Sequence, residues 1–298
     1  MKKRIKLVFL TLCVATLFFS IQTNASIFKT DEDFREKTVN NLNRNETEYF
    51  ALITGIEEYA GFDTPTQEYL DESAVAFYEK LVGSSNWKEE NVKLLLNENA
   101  TKDRIHDAIV GWLDEKENES DVVVIYHAGH GWKTSLKNRL HGNAYIFTHN
   151  SSEPGYDSDK ITDKEYDDWL DQLDSTHIAV ILENCYSGRW FSLRQFGRTI
   201  LSAGGKYVFC PCNWSTYLQD TIFGHYLREG LDGVADVNND GWITIREAYY
   251  YLRIPVFWHS LFYHFPYIWE TSHGTMFVGP QIPYLYDRHV GSIPLIKI

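Results

Sequence analysis

Cys185 has the clearest capacity for covalent chemistry in this sequence of 298 residues. It follows a continuous apolar run, Ile178–Leu182, after the polar pair Glu183-Asn184. Such a run is typical of a strand that is covered on both faces inside a parallel sheet. Because reactive groups gather at the carboxyl ends of such strands, the thiol is placed as a nucleophile would be. The alternative role is a small buried core residue, which is common for cysteine.

A second β-branched run upstream, 121–126, ends in a pair of histidines, His127 and His130. A thiol with an ordinary pKa of about 8.5 is mostly protonated at neutral pH, so a nucleophilic cysteine needs a base. Both runs are expected to deliver their polar ends to one edge of the same sheet. The two histidines could instead bind a metal, but no carboxylate or third histidine follows at a ligand spacing, and we favour the base.

The chain contains two motifs, in this order: a predicted strand that ends in His-Gly, and a predicted strand that ends in acid-x-Cys-x-Ser-Gly. Together they resemble the clan of cysteine peptidases that holds caspases, metacaspases and legumains, over roughly residues 48–298. The resemblance implies an α/β fold, namely a caspase-like three-layer sandwich with a mostly parallel sheet and helices on both faces. It also implies a catalytic dyad of Cys185 and His130, the histidine that is followed directly by glycine. The backbone amides of Gly131 and Cys185 are the expected oxyanion donors.

The same resemblance bears on the substrate, which we expect to be a peptide or protein. Glu183 stands two residues before the nucleophile, where metacaspases carry Asp and cleave after basic residues, and where legumains carry Glu and prefer Asn. Ala128 occupies the position of a pocket serine in metacaspases. Ser73 occupies the position at which an Asp usually opens the first helix, and Asp71 and Glu72 come just before it. We therefore assign Glu183, Ala128 and Asp71 to substrate binding. The alternative for Glu183 is a structural salt bridge, for example to Arg189.

The sequence thus predicts a cysteine endopeptidase that cleaves after Arg or Lys. A legumain-like asparaginyl peptidase or transamidase would use the same dyad. A rival of another class is a catalytically silent, calcium-binding domain of the same fold, although such a domain would have no reason to keep both Cys185 and His130.

A calcium loop is predicted at 236–247, because this stretch matches the pattern D-x-[DN]-x-[DN]-G-x5-E at every required position. Gly241 permits the sharp turn that the loop needs. The oxygen ligands would come from five residues: Asp236, Asn238, Asp240, Trp242 through its carbonyl, and Glu247. Ca2+ is therefore the expected cofactor, in a structural role, and no organic cofactor is expected.

Residues 1–25 resemble a secretory signal peptide, with basic residues first, an apolar core at 7–21 and a small-residue cleavage site that ends at Ala25. An uncleaved anchor is the alternative, for which this core is short. Residues 26–47 are polar and are predicted to form a linker or pro-segment. The formal net charge is −13, which argues against nucleic acid and anionic membranes as partners. We therefore expect an exported protein without stable membrane association.

Apolar patterning gives the remaining elements. Helices are predicted near 68–82, after the caps Thr101 and Thr162, and at 245–252. Strands are predicted at 49–56, 91–96, 144–147 and 206–210, with an added strand at 276–278. The aromatic-rich segment 257–269 is expected to pack over one side of the sheet.

Overall fold

The computed structural model describes residues 47–61, 69–134, 142–152, 159–205, 214–215, 218–263, 267–271 and 274–298. The signal and most of the linker predicted from the sequence lie outside these residues, as does the strand predicted at 206–210. Residues 46–298 form one compact unit.

Fifteen strands are present in the described residues. In chain order they are β1 (Tyr49–Gly55), β2 (Val92–Leu96), β3 (Val122–Ala128), β4 (Gly131–Lys133), β5 (Ala144–Ile146), β6 (Ile161–Thr162), β7 (His177–Glu183), β8 (Arg198–Ser202), β9 (Trp214–Ser215), β10 (Asp220–Thr221), β11 (Trp242–Thr244), β12 (Tyr267–Thr271), β13 (Gly274–Val278), β14 (Tyr284–Asp287) and β15 (Pro294–Lys297).

Five α-helices accompany these strands in the described part of the chain. They are α1 (Leu70–Val82), α2 (Lys102–His106), α3 (Asp163–Leu170), α4 (Ile222–Glu229) and α5 (Ile245–Tyr263). A π-helical segment, Asp107–Leu113, continues α2, and another, Gly230–Val234, continues α4.

The central sheet has six strands in the order β14-β8-β7-β3-β1-β2. Neighbouring strands from β8 to β2 run parallel, and β14 alone is antiparallel, along the outer edge of β8. The register aligns the last residues of the three inner strands, because Ala128 pairs with both Gly55 and Glu183. The chain segments that carry the two candidate catalytic residues therefore leave the sheet side by side.

Side chains alternate between the two faces of the sheet and feed two separate cores. One core joins the sheet to α1, α4 and α5, and includes Phe77, Tyr126 and Leu252. The other joins the opposite face to α2, its π-helical continuation and α3, and includes Ile109 and Tyr166. The predicted mostly parallel sheet with helices on both faces is confirmed.

The predicted helix starts at Thr101 and Thr162 are confirmed. The Thr101 side chain accepts a hydrogen bond from the Arg104 N–H, and Thr162 forms a reciprocal capping box with Glu165. Each cap satisfies a backbone donor in the first turn of its helix, which has no partner within the helix itself.

The C-terminal half differs from the sequence-based expectation at three places. The strand β8 is absent from the predicted set, because its polar ends, Arg198 and Ser202, make the apolar run short. The segment around 276–278 is a strand, as predicted, but it pairs with β12, while β14 is the strand that extends the central sheet. The last helix runs to Tyr263, through Pro255, rather than ending near 252.

In the described part of the aromatic-rich segment, Trp258 is 39% exposed and Phe262 is 78% exposed, whereas Val256, just before the segment, is fully buried. Across the described residues, no helix combines the length and the apolar character needed to cross a membrane.

Candidate active site

Cys185 lies two residues beyond the end of β7 and is almost fully buried. It packs with Tyr186 and Trp132, whose rings meet edge to face at 5.5 Å between centroids. Tyr186 has a left-handed backbone (φ 57°), which turns the chain sharply just after the cysteine. The turn is fixed to the segment after β8, because the Gly188 N–H donates to the Gly204 carbonyl at 2.9 Å.

His130 lies at the corresponding place after β3, in the turn that leads into β4. Burial lowers the pKa of its imidazole to about 4, so the ring is neutral at pH 7 and can accept a proton. Its Nε2 atom is buried and has no hydrogen-bond partner among the described residues. The uncommitted nitrogen is open to a proton, while the lowered pKa makes the buried imidazole a weaker base than an ordinary histidine.

His127 also has a buried Nε2 without a hydrogen-bond partner among the described residues, but its other nitrogen is engaged. It is fully buried, and its Nδ1 lies 2.8 Å from the Thr54 hydroxyl on β1. Burial lowers the pKa of His127 to about 3. The hydrogen bond ties β3 to β1 inside the sheet, which agrees with the core role expected for this histidine.

Gly131 brings the two turns into contact. A Cβ atom added to Gly131 would lie 2.8 Å from the Cys185 carbonyl oxygen and 2.2 Å from the Asn184 side-chain nitrogen. Only glycine therefore fits at this position without a shift in the cysteine segment.

The pairing of β4 with β5 also directs the Gly131 amide. The Phe147 N–H donates to the His130 carbonyl, and the Thr134 N–H donates to the Asn143 carbonyl. Hydrogen-bonded pairs alternate along an antiparallel ladder, so Gly131 and Ile146, the pair next to His130 and Phe147, are not hydrogen-bonded to each other. The Gly131 N–H consequently points away from β5.

Asn184 was not singled out by sequence reasoning. Its side-chain nitrogen donates to the Cys185 carbonyl at 2.8 Å, and its Oδ1 is buried without a hydrogen-bond partner in the described part of the chain. The amide braces the backbone at Cys185. The only sequence signal for it was its position between Glu183 and Cys185.

Glu183 is fully buried and faces the core that contains α1 and α4. Its Oε2 accepts hydrogen bonds from the Tyr126 hydroxyl at 2.5 Å and the Ser73 hydroxyl at 3.3 Å. Its Oε1 accepts the Gly224 N–H, in the first turn of α4, at 3.3 Å. Burial raises the pKa of this carboxyl. The side chain is thus surrounded by donors of the protein itself, in a network that ties α1 and α4 to the end of β7.

Ala128 and Asp71 lie on the same side of this sheet edge as Glu183. Ala128 is fully buried in the core with Tyr126. Asp71 is only partly buried and accepts a hydrogen bond from the Asn97 amide at 2.8 Å. Of the three residues assigned to substrate binding, Asp71 is the one with solvent access.

Asp71 belongs to an acidic group at the rim of this edge. The carboxylate oxygens of Glu57, Asp71 and Glu72 lie within 4.8 Å of one another. Burial, together with the hydrogen bond and charge of Asp71, raises the pKa of Glu57 to about 7. The hydrogen bond to Asp71 and burial raise the pKa of Glu72. Asp220, whose charge also acts on Glu72, is itself paired with Arg228. The rim therefore favours a cationic ligand.

The predicted calcium loop folds tightly around its carboxylates. Asp236 accepts the N–H groups of Asp240 and Gly241, at 3.2 and 3.1 Å, and Asn238 accepts the Asp240 N–H at 2.9 Å. Gly241 has a left-handed backbone (φ 78°), as the motif requires. Trp242, the fourth predicted ligand, begins β11.

Glu247, the last predicted ligand, lies in the first turn of α5 and is 6% exposed. Burial raises the pKa of its carboxyl, and the charges of Asp240 and Asp236 raise it further. Its Oε2 accepts hydrogen bonds from the Thr244 N–H at 3.0 Å and the Thr244 hydroxyl at 2.9 Å, which fixes the start of α5. Carboxylate and amide oxygens are the kind of ligand that a hard cation such as Ca2+ prefers.

Comparison with known proteins identifies the fold. No family model matches the chain, and no curated protein matches its sequence. Among solved structures, the chain is similar to protein GSU0716 from Geobacter sulfurreducens, with a TM-score of 0.57 and 12% identity over 84% of this chain and 99% of that chain. It is also similar to caspase-1 from Spodoptera frugiperda, with a TM-score of 0.54 and 13% identity over 86% of this chain and 92% of that chain. The chain therefore has a caspase-like fold.

Proposed function

We propose that this chain is a cysteine endopeptidase with Cys185 as the nucleophile and His130 as its base. The observation that carries the proposal is the contact between the two turns at Gly131. The His-Gly turn after β3 and the cysteine turn after β7 meet there, at the carboxyl edge of a parallel sheet. The caspase-like fold supports a peptidase as the general class.

The proposed reaction proceeds through an acyl-enzyme. His130 accepts the thiol proton as the Cys185 sulfur attacks the scissile carbonyl carbon, and the carbonyl oxygen becomes an oxyanion. The N–H groups of Gly131 and Cys185 are proposed to stabilise that oxyanion. His130 then donates its proton to the amine leaving group as the C–N bond breaks, and a water molecule hydrolyses the thioester that remains.

Cleavage after Arg or Lys is proposed from the acidic character of the neighbouring rim. Asp71, Glu72 and Glu57 offer carboxylates with solvent access near the end of β1, and they would attract a cationic side chain of the substrate. Glu183 supports this pocket from beneath, since its carboxylate is engaged by Tyr126 and Ser73. A preference for Asn, as in a legumain-like peptidase or transamidase, would leave this acidic rim without a role.

Calcium is proposed as a structural cofactor. Asp236, Asn238, Asp240, the Trp242 carbonyl and Glu247 would hold the ion. Bound there, calcium would neutralise a cluster of carboxylates and fix the start of α5 against β15, with which β11 pairs. We also propose export of the protein, on the basis of the basic and apolar start of the chain.

The test is hydrolysis of matched fluorogenic peptides that end in Arg, Lys, Asn or Asp, by the wild type and by Cys185→Ala. Each enzyme is assayed with calcium and with a chelator. The proposal predicts turnover after Arg or Lys that is lost in Cys185→Ala. Turnover after Asn alone would favour the legumain-like alternative. If folded, calcium-loaded protein cleaves none of the four peptides, the silent binding domain becomes the better account.

A further inference from the structure

The hydroxyl of Tyr59 connects the end of β1 to the turn that carries His130. The His130 backbone N–H donates to the Tyr59 hydroxyl oxygen at 2.8 Å. The same hydroxyl donates to the Ile56 carbonyl at 3.1 Å. The Tyr59 hydroxyl thus accepts one hydrogen bond from the His130 backbone and donates another to the residue that follows β1. These two bonds tie the turn that carries His130 to the end of β1.

The ring of Tyr59 also packs against the imidazole. The ring centroids of Tyr59 and His130 lie 5.2 Å apart with an interplanar angle of 55°. Phe147 completes the cluster, with its centroid 6.3 Å from that of Tyr59 and 6.2 Å from that of His130. Because His130 Nε2 has no hydrogen-bond partner among the described residues, these aromatic contacts help to orient the imidazole and to exclude water from it.

Tyr59 is itself held firmly by the opposite loop. The Ala60 N–H donates to the His149 carbonyl at 2.8 Å, and the His149 Nδ1–H donates to the Glu58 carbonyl at 2.7 Å. Gly61 forms a β-bridge with Ser152. Ser152 is fixed in turn, because its carbonyl accepts a hydrogen bond at 3.2 Å from Lys160, a fully buried lysine. Tyr59 therefore stands on a segment that is fixed on both sides.

We propose that Tyr59 is a positioning residue for the dyad: its hydroxyl sets the turn that carries His130, and its ring shields the imidazole from water. This inference rests on the proposed function, since it gives His130 the role of base. Tyr59 touches neither the thiol nor the substrate in this account and acts through the histidine alone.

Two substitutions separate the hydroxyl from the ring. In Tyr59→Phe the ring remains and the hydrogen bond is lost, so we expect kcat to fall about tenfold while KM changes less than about twofold. In Tyr59→Ala both contributions are lost, and we expect kcat to fall about a hundredfold. The matched control is Tyr166→Phe, because the buried Tyr166 hydroxyl has no hydrogen-bond partner in the described residues; this variant should retain wild-type kcat.

A titration of the histidine resonances by NMR gives a readout that needs no turnover. Loss of the ring should admit water, so the pKa of His130 should rise from about 4 by about one unit or more in Tyr59→Ala, toward the ordinary histidine value of about 6.5. Tyr59→Phe and Tyr166→Phe should leave this pKa unchanged.

The outcomes distinguish failure of this inference from failure of the proposed function. If the wild type hydrolyses peptides and Tyr59→Phe retains kcat within about threefold, the positioning role is refuted while the peptidase stands. If the wild type shows no activity that depends on Cys185, the proposed function fails, and the titration alone decides whether Tyr59 controls the environment of His130. An unchanged His130 titration in Tyr59→Ala would overturn the inference in either case.

Discussion

Gly131→Ala should impair catalysis far more than folding. The added methyl carbon would lie 2.2 Å from the Asn184 side-chain nitrogen and 2.8 Å from the Cys185 carbonyl oxygen. Ordinary contacts between heavy atoms are about 3.5 Å or longer. The cysteine turn or the start of β4 must therefore move by roughly 1 Å, and a displacement of that size at reacting groups costs about a hundredfold in rate. We expect kcat/KM to fall by about that factor, equivalent to about 2.7 kcal/mol of transition-state stabilisation.

The assay compares peptide hydrolysis and melting temperature in four proteins. Gly111→Ala is the matched control, because nothing lies within 4 Å of the added Cβ, and it should keep wild-type activity. The double variant Gly131→Ala with Asn184→Gly removes the nearer clash but keeps the one with the Cys185 carbonyl, and it also loses the hydrogen bond from Asn184 to that carbonyl, so its activity should stay low. A folded Gly131→Ala protein with kcat/KM within about threefold of the wild type would refute the proposed geometry of the site.

Three further predictions concern the surroundings of the site. Glu183→Ala leaves the buried hydroxyls of Tyr126 and Ser73 without their shared acceptor, so unfolding free energy in urea should drop by about 2–3 kcal/mol; a loss below about 0.5 kcal/mol would contradict the network. His127 has a pKa of about 3 when folded, below that of the unfolded chain, so its stabilising contribution is present above about pH 6.5 and decreases as the pH falls, at about 1.4 kcal/mol per unit. Between pH 6.5 and 5, the unfolding free energy of His127→Gln should therefore fall by about 2 kcal/mol less than that of the wild type. Equal decreases in the two proteins would contradict a buried, neutral His127. Calcium at about a hundred times its Kd should stabilise the wild type by about 2.7 kcal/mol and raise Tm by several degrees. Asp240→Ala should abolish this stabilisation, and the control at an exposed carboxylate, Asp114→Asn, should retain it. Equal calcium responses in wild type and Asp240→Ala would contradict the proposed ion site.

Local patterns in the sequence predicted the main layers of the architecture, namely a buried parallel sheet with helices on both faces. The continuous apolar runs that form β3 and β7 predicted two buried parallel strands, because only a covered strand can be apolar on both faces. The caps Thr101 and Thr162 predicted helix starts, because their hydroxyls satisfy backbone donors locally. The strand β8 was missed because it has only a short apolar centre between Arg198 and Ser202.

The partners of the site residues could not be predicted in the same way. The hydrogen bonds from Tyr126 and Ser73 to Glu183 join residues 57 and 110 positions apart, so they depend on how α1 packs on the sheet. The position of Glu183, two residues before Cys185, placed its carboxylate at the candidate active site. Its burial against α4 could not be predicted, because no nearby sequence pattern indicates it. Tyr59 likewise has no motif of its own, and its contact with His130 depends on the pairing of β1 with β3.

Covalent trapping tests the central claim most directly. A peptide chloromethyl ketone that ends in Arg should alkylate the protein once, and peptide mapping by mass spectrometry should place the adduct on Cys185 rather than on Cys210 or Cys212. The same reagent should fail with Cys185→Ala and react much more slowly with His130→Ala. Absence of an adduct, labelling of Cys210 or Cys212 at the same rate, or undiminished labelling of Cys185 in His130→Ala would contradict a Cys185–His130 dyad.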